Sequence, residues 1–181
     1  DGAADQRQLE SPHPITQRAF ARDLGCDSGA RRGGTRHFGR QIDEIGILVA
    51  GTDGKYLRFV APRKLCDLGT IPTTKRDSIA VGVFTRKTGE ANNNVPLVRH
   101  VAFFESVRVT EKVMPIMKMV TVPIIARGQI IGVAQVSKKG DTLTDAGPDF
   151  NQADVRKVSE YFESKADFLV DLHAGDGNEA L

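Results

Sequence analysis

The chain has 181 residues, which is enough for one well-buried domain with an appendage and short for two. It is 40% hydrophobic, 27% charged and 6% aromatic, and its formal net charge at pH 7 is +2. That charge is too small to indicate a nucleic-acid or membrane-surface partner, and no apolar run approaches the roughly 20 residues that cross a bilayer. No secretory leader is visible either, so the cytoplasm is the expected compartment.

The first forty residues predict one helix between two flexible segments. Residues 1–10 are polar and are expected to be disordered or flexible. A helix can start at Ser11 and end at Gly25. Residues 26–40 are rich in glycine and arginine and have no apolar face, which predicts a flexible loop. These arginines could instead hold phosphate, but Phe38 is the one aromatic residue among them, so a nucleic-acid partner is not expected.

Two strands are predicted next. Residues 45–50 are typical of a buried strand, residues 51–54 form a turn, and residues 56–61 return as an alternating strand. Residues 62–77 then predict a long loop that contains one of the two cysteines.

A helix and an irregular stretch follow. Ser78 is placed to cap a helix that Gly89 would end. Residues 92–94 predict a polar turn, residues 95–101 a short strand, and residues 101–117 an irregular or helical connection.

A β-hairpin is the strongest local prediction. Two apolar runs flank Arg127-Gly128, a pair that suits a two-residue turn. In the second run, alternation predicts Ile131 and Val133 on the same face, with apolar residues on the other face as well. Such a strand lies in the interior of a domain, and Gly132 leaves room for a close approach to its backbone.

The last segment predicts a helix that runs through Asp171 and is followed by a polar tail at residues 173–181. Asn151 can accept a bond from the Asp154 amide while the Asp154 carboxylate reaches back, as in a capping box. An apolar stripe recurs at helical spacing: Val155, Val158, Phe162, Leu169 and Leu172. This stripe could cover the sheet or serve as a dimer contact, and the residues leave both open.

Lys138, a spacer, and then Phe150-x-x-x-Asp154 resemble the Asn-Lys … Phe-x-x-x-Asp-Glu signature of GAF domains. These are small-molecule sensing modules of cyclic-nucleotide phosphodiesterases, phytochromes and many bacterial regulators. Ser137 stands at the asparagine position of that signature and Val155 at its glutamate. The resemblance implies that Lys138 and Asp154 pair with each other as a structural clasp, away from the ligand, and do not form a chemical site.

The resemblance also implies the architecture. An α+β fold is expected, with an antiparallel sheet of about five or six strands and flanking helices, forming one domain over residues 11–172. GAF domains often carry a proline where Pro123 interrupts the first hairpin strand. Because proline has no amide hydrogen, Pro123 is expected at a bulge or facing an unpaired edge.

A ligand pocket is implied between the sheet and residues 78–88 and 92–117. The second of these segments holds the candidate ligand-binding residues Arg99, His100, Phe103, Phe104 and Arg108. Basic groups beside aromatic rings suit a small anionic or heteroaromatic ligand. The alternative is that the phenylalanines belong to the core and the basic residues face solvent.

The function that the resemblance implies is a non-catalytic regulatory module, which binds an unidentified small molecule and signals through its terminal helices or a homodimer. Three alternatives stay open: a thiol-redox enzyme similar to free methionine sulfoxide reductases, a purely structural dimerisation module, and the effector domain of a transcription regulator. Cys26 and Cys66 lie 40 positions apart with no CxxC partner. No catalytic or metal-binding set is therefore predicted, and the sequence indicates no particular cofactor.

Overall fold

A computed structural model describes residues 44–61, 63–66, 69–98 and 114–174. The predicted helix from residue 11 and the flexible segments 1–10 and 26–40 lie outside the described residues. In chain order the elements are β1 (Glu44–Ala50), β2 (Tyr56–Ala61), α1 (Arg63–Cys66), β3 (Thr70–Pro72), α2 (Ile79–Arg86), β4 (Glu90–Asn92), a 3₁₀ helix (Val95–Leu97), β5 (Ile116–Ala126), β6 (Gln129–Lys139) and α3 (Gln152–Ala174).

The strands form one six-stranded antiparallel sheet in the order β3-β2-β1-β6-β5-β4. The predicted α+β fold with five or six antiparallel strands is confirmed, as are the strands β1 and β2. Both outer strands, β3 and β4, are only three residues long, and β4 pairs with only three residues of β5, Met119 to Thr121.

Each face of the sheet carries its own apolar cluster. The first lies under α3 and includes Ile47, Val120, Val122, Ile124, Phe150, Val158, Phe162 and Leu169. The second lies under α2 and includes Leu48, Leu57, Phe59, Val81, Val83 and Val133. The apolar stripe of α3, as far as the structure describes its side chains, therefore covers the sheet.

The hairpin between β5 and β6 has the predicted two-residue turn. Arg127 and Gly128 have φ angles of 51° and 77°, so both adopt the left-handed conformation of a type I′ turn. Ala126 and Gln129 stand opposite each other at its base.

A β-bulge in β6 changes the predicted faces. Pairing with β5 steps from Ile130 to Gly132 and leaves Ile131 without an opposite residue. Ile131 consequently joins the cluster under α3, whereas Val133 joins the cluster under α2. The prediction that these two side chains share a face was wrong, because strict alternation does not hold across a bulge.

Pro123 lies at an unpaired edge, as predicted. It stands opposite Val133 of β6, and pairing of β4 with β5 already ends at Glu90 and Thr121. Its missing amide hydrogen therefore takes nothing from the described pairing of β4 with β5.

The α2 helix begins as predicted and ends earlier. The Ser78 hydroxyl accepts a bond from the amide three residues later at 3.4 Å. The helix ends at Arg86 with Lys87 as a left-handed C-cap, so the predicted stop at Gly89 was wrong. Gly89 instead makes space for α3, since a Cβ there would lie 2.9 Å from Cγ1 of Val155.

Five short or terminal elements differ from prediction. Strand β3 and helix α1 lie in the predicted loop 62–77, because elements of three or four residues show no periodicity. Residues 95–97 form the 3₁₀ helix and not a strand, with a proline in its first turn. Residue 92 belongs to β4 instead of a turn, and α3 continues to Ala174, two residues into the predicted tail.

We expect Gly132→Ala to destabilise the domain by about 3 kcal/mol or more, because its methyl group would lie 2.1 Å from the Leu48 carbonyl oxygen of β1. Urea denaturation measures this loss. Gly128→Asn is the control: its site is open, and asparagine tolerates a positive φ, so it should cost less than about 1 kcal/mol. Equal costs for both variants would contradict the close approach of β1 to β6.

Candidate functional site

Lys138, Phe150 and Asp154, the three signature residues, lie at the junction between β6 and α3. The Lys138 ammonium donates to the Pro148 carbonyl at 2.7 Å and lies 4.2 Å from the centre of the Phe150 ring. The Asp154 carboxylate accepts from the Asn151 amide at 2.9 Å. Among the described residues Lys138 and Asp154 form no ion pair with each other, and each holds a different part of the same loop.

A second buried lysine lies beside the first. Lys118 of β5 stands directly opposite Lys138 of β6, and each residue is 4% exposed. The Lys118 ammonium donates to the Gly147 carbonyl at 2.6 Å and to a carboxylate oxygen of Asp149 at 2.7 Å. Oxygen acceptors at these distances offset the cost of burying an ammonium group. Both lysines thus bind the loop that leads into α3.

Asn93 holds the backbone of Phe150 on both sides. Its side-chain oxygen accepts from the Phe150 amide at 2.8 Å, and its Nδ2 donates to the Phe150 carbonyl at 2.9 Å. We call Asn93, Lys118 and Lys138, together with Phe150, the Phe150 clasp. Through Asn93 next to β4, Lys118 of β5 and Lys138 of β6, it joins three strands to the loop that leads into α3.

The start of α3 is the predicted capping box. The Asn151 side-chain oxygen accepts from the amides of Ala153 at 2.8 Å and Asp154 at 3.2 Å. With the reciprocal bond from the Asn151 amide to the Asp154 carboxylate, the prediction is confirmed.

The opposite face of the sheet carries a buried polar side chain near its centre. Gln135 of β6 lies between Gly46 of β1 and Thr121 of β5, and it is 5% exposed. Its Nε2 donates to the Thr121 hydroxyl at 3.4 Å, a long bond. In the described part of the chain its Oε1 accepts no hydrogen bond. A buried unpaired acceptor of this kind costs about 1–3 kcal/mol.

Solved structures share this architecture. No protein-family model matches the sequence, and a search of curated proteins finds no significant match. A GAF domain from a phosphoenolpyruvate-protein phosphotransferase of Coxiella burnetii superposes with a TM-score of 0.54 at 12% identity, covering 73% of this chain and 74% of that one. The chain has the GAF fold.

Two further GAF domains support this assignment. One, from a two-component sensor histidine kinase of Bacillus halodurans, gives a TM-score of 0.51 at 12% identity over 76% of this chain and 87% of that one. Another, from an Acinetobacter phosphoenolpyruvate-protein phosphotransferase, gives 0.50 at 14% identity over 75% of each chain. At such identities the likeness establishes the fold alone.

The predicted ligand-binding residues of this chain lie outside the described residues: Arg99, His100, Phe103, Phe104 and Arg108. Sequence reasoning overlooked Gln135 and Thr121, which the structure brings together. A signal for Gln135 was present, since this amide interrupts the otherwise apolar or small side chains of β6 from residue 130 to 136.

The described ranges contain few other groups that could react or bind a metal ion. Cys66 lies at the end of α1 with a half-buried thiol that is in no disulfide, and Cys26 lies outside those ranges. No group of three or more His, Cys, Asp or Glu side chains there is arranged to hold a metal ion. None of the helices in those ranges combines the length and apolar character that crossing a membrane requires.

We expect Asn93→Ala to destabilise the domain by about 2 kcal/mol, since two hydrogen bonds to a largely buried backbone are lost at about 1 kcal/mol each. Asn92→Ala is a matched control, because the Asn92 side chain makes one local bond, to the Asn94 amide at 2.9 Å. It should cost less than about 1 kcal/mol in the same urea titration. If the neighbouring variants are equally stable, the clasp does not hold Phe150 as described.

Proposed function

We propose that this GAF domain is a non-catalytic sensory module that binds a small molecule on the sheet face carrying Gln135. The observation that supports the proposal is the buried carboxamide with its unpaired Oε1. A protein that leaves this acceptor unpaired bears a free-energy cost that a donor from a ligand would remove. The sensor histidine kinase that contains one of the similar GAF domains supports a sensory role.

The other face of the sheet offers no comparable place. Under α3 the described side chains form a continuous apolar cluster, closed at one end by the Phe150 clasp. We therefore assign the ligand to the Gln135 face. As further ligand contacts we propose the basic and aromatic residues of the segment after β4, within a single domain of residues 11–172: Arg99, His100, Phe103, Phe104 and Arg108.

We further propose that binding is signalled through the terminal helices, with a homodimer as one possible form of output. The exposed side of α3 is rich in charge and includes Arg156, Lys157, Glu160, Glu163 and Asp167. A dimer contact through this helix would consist of ion pairs and not of the apolar stripe, which the sheet occupies. The proposal places the module in the cytoplasm, without a membrane or nucleic-acid partner.

Replacing Gln135 with leucine tests the ligand site. We expect Gln135→Leu to be as stable as the wild type or up to about 1 kcal/mol more stable, because the substitution removes a buried unpaired acceptor. At the same time, native mass spectrometry should detect a bound small molecule in gently purified wild type and none in Gln135→Leu. Gln129→Leu, on an exposed position of the same strand, should keep the ligand.

Two outcomes would contradict the proposal. If the wild type carries no ligand and Gln135→Leu is less stable, Gln135 has a structural role and the dimerisation module is favoured. If the protein reduces free methionine sulfoxide with dithiothreitol and loses this activity in Cys66→Ser, the thiol-redox enzyme is favoured.

A further inference from the structure

Strand β4 is in contact with both of the helices that cover the sheet. These helices, α2 and α3, pack on opposite faces over separate apolar clusters. An ion pair between Arg86, the last residue of α2, and Glu90, the first residue of β4, joins the strand to one helix. Gly89 and Asn93, the residues on either side of β4, join it to the other. The strand therefore connects two elements that lie on different faces.

The contacts of β4 with α3 lie at the start of that helix. Gly89 packs so closely that a Cβ there would lie 2.9 Å from Cγ1 of Val155 in α3 and 3.1 Å from Cγ1 of Val122 in β5. Asn93 binds both the amide and the carbonyl of Phe150, which comes just before the helix. Because the start of α3 is held at these two points, a shift of β4 would displace the helix start as well.

The last turn of α2 holds Arg86 against Glu90. A Cβ at Gly82, one turn earlier, would lie 3.0 Å from Nη1 of the Arg86 guanidinium, so this side chain lies back over the glycine. Its Nη2 donates to the Glu90 carboxylate. Glycine weakens a helix interior relative to alanine, and at this position it leaves the room that the guanidinium occupies. The connection from α2 to β4 is short as well, since it consists of residues 87–89.

The pairing of β4 is weak enough to let the strand move. Only Glu90–Asn92 pair with β5, whereas β5 and β6 pair over almost their whole length. An outer strand with few backbone hydrogen bonds is among the elements that move at the lowest cost in free energy. Glu90 stands opposite Thr121, whose hydroxyl accepts from Gln135, so β4 borders the proposed ligand site.

From these contacts we propose that β4 and the start of α3 move as one unit between two positions, and that the pair of Arg86 with Glu90 sets the balance between them. A ligand on the Gln135 face acts on this balance when it binds one position more tightly than the other. The Phe150 clasp stays closed in both positions, because it transmits the movement. This inference rests on the proposed function, since it supplies the route by which the same site signals through a terminal helix.

Backbone NMR spectra of the full chain, without added ligand, test this link. Arg86→Ala removes the ion pair, and Gly82→Ala displaces the guanidinium but keeps its charge. We expect both variants to shift the amide resonances of Phe150 and Val155, across the sheet from α2, in the same direction. Arg86→Lys retains a cation and should give a smaller shift. The peak positions of all variants should fall on one straight line, as they do for two states in fast exchange.

Two controls show whether the effect passes through β4. Thr85→Ala changes the exposed neighbour of Arg86 in α2 and should leave the Phe150 and Val155 resonances in place. In Asn93→Ala the hydrogen bonds from this side chain to Phe150 are lost. Adding Arg86→Ala to that variant should therefore move the Phe150 resonance much less than it does in the wild type.

The inference is overturned if Arg86→Ala and Gly82→Ala shift only resonances of α2 and β4, or if Thr85→Ala moves the Phe150 resonance as far as they do. Native mass spectrometry separates this failure from a failure of the proposed function. A protein that carries a ligand, loses it in Gln135→Leu and shows no shift at Phe150 keeps the site and lacks the link. A wild-type protein without a ligand contradicts the proposed function even where the Phe150 resonance shifts.

Discussion

The Phe150 clasp is the constraint on which the arrangement of the sheet and α3 depends. Its amide and carbonyl are both bound by Asn93, and its ring packs against the Lys138 ammonium. Two ammonium groups buried side by side would repel each other and lose hydration, so they are tolerable only because the loop supplies oxygens to each. The same loop ends at Asn151, where the capping box starts α3. The position of the long helix is thereby fixed by three strands.

With α3 fixed, the two faces of the sheet take different roles. The face under α3 carries an apolar cluster that includes Phe150, Phe162 and Leu169, and the buried Lys118 and Lys138 lie at one end of it. The other face is apolar under α2, where Val133 lies, and it is polar two residues further along β6, at Gln135. An unpaired acceptor is costly inside a core, and this cost is the observation on which the proposed ligand site rests.

Sequence reasoning succeeded where the determining contacts are local. The hairpin turn, the capping box and the Ser78 cap each depend on residues within three positions of one another. It failed where contacts are distant: Asn93 and Phe150 are 57 residues apart, and Lys118 and Asp149 are 31 apart. The bulge at Ile131 also escaped prediction, because the register of β6 is set by β5 and β1 and not by its own pattern. Gln135 could be noticed in the sequence, but the missing partner of its Oε1 could not.

Amide hydrogen exchange of the wild-type protein tests the central claim that the Phe150 clasp fixes the start of α3. The Phe150 amide belongs to no described helix or strand and donates to the Asn93 side-chain oxygen, so its hydrogen bond depends on the clasp. We predict that it exchanges as slowly as the amides of β6, through unfolding of the whole domain. Exchange of the Phe150 amide much faster than that of β6, with the sheet still protected, would show that the loop opens by itself and would contradict the account.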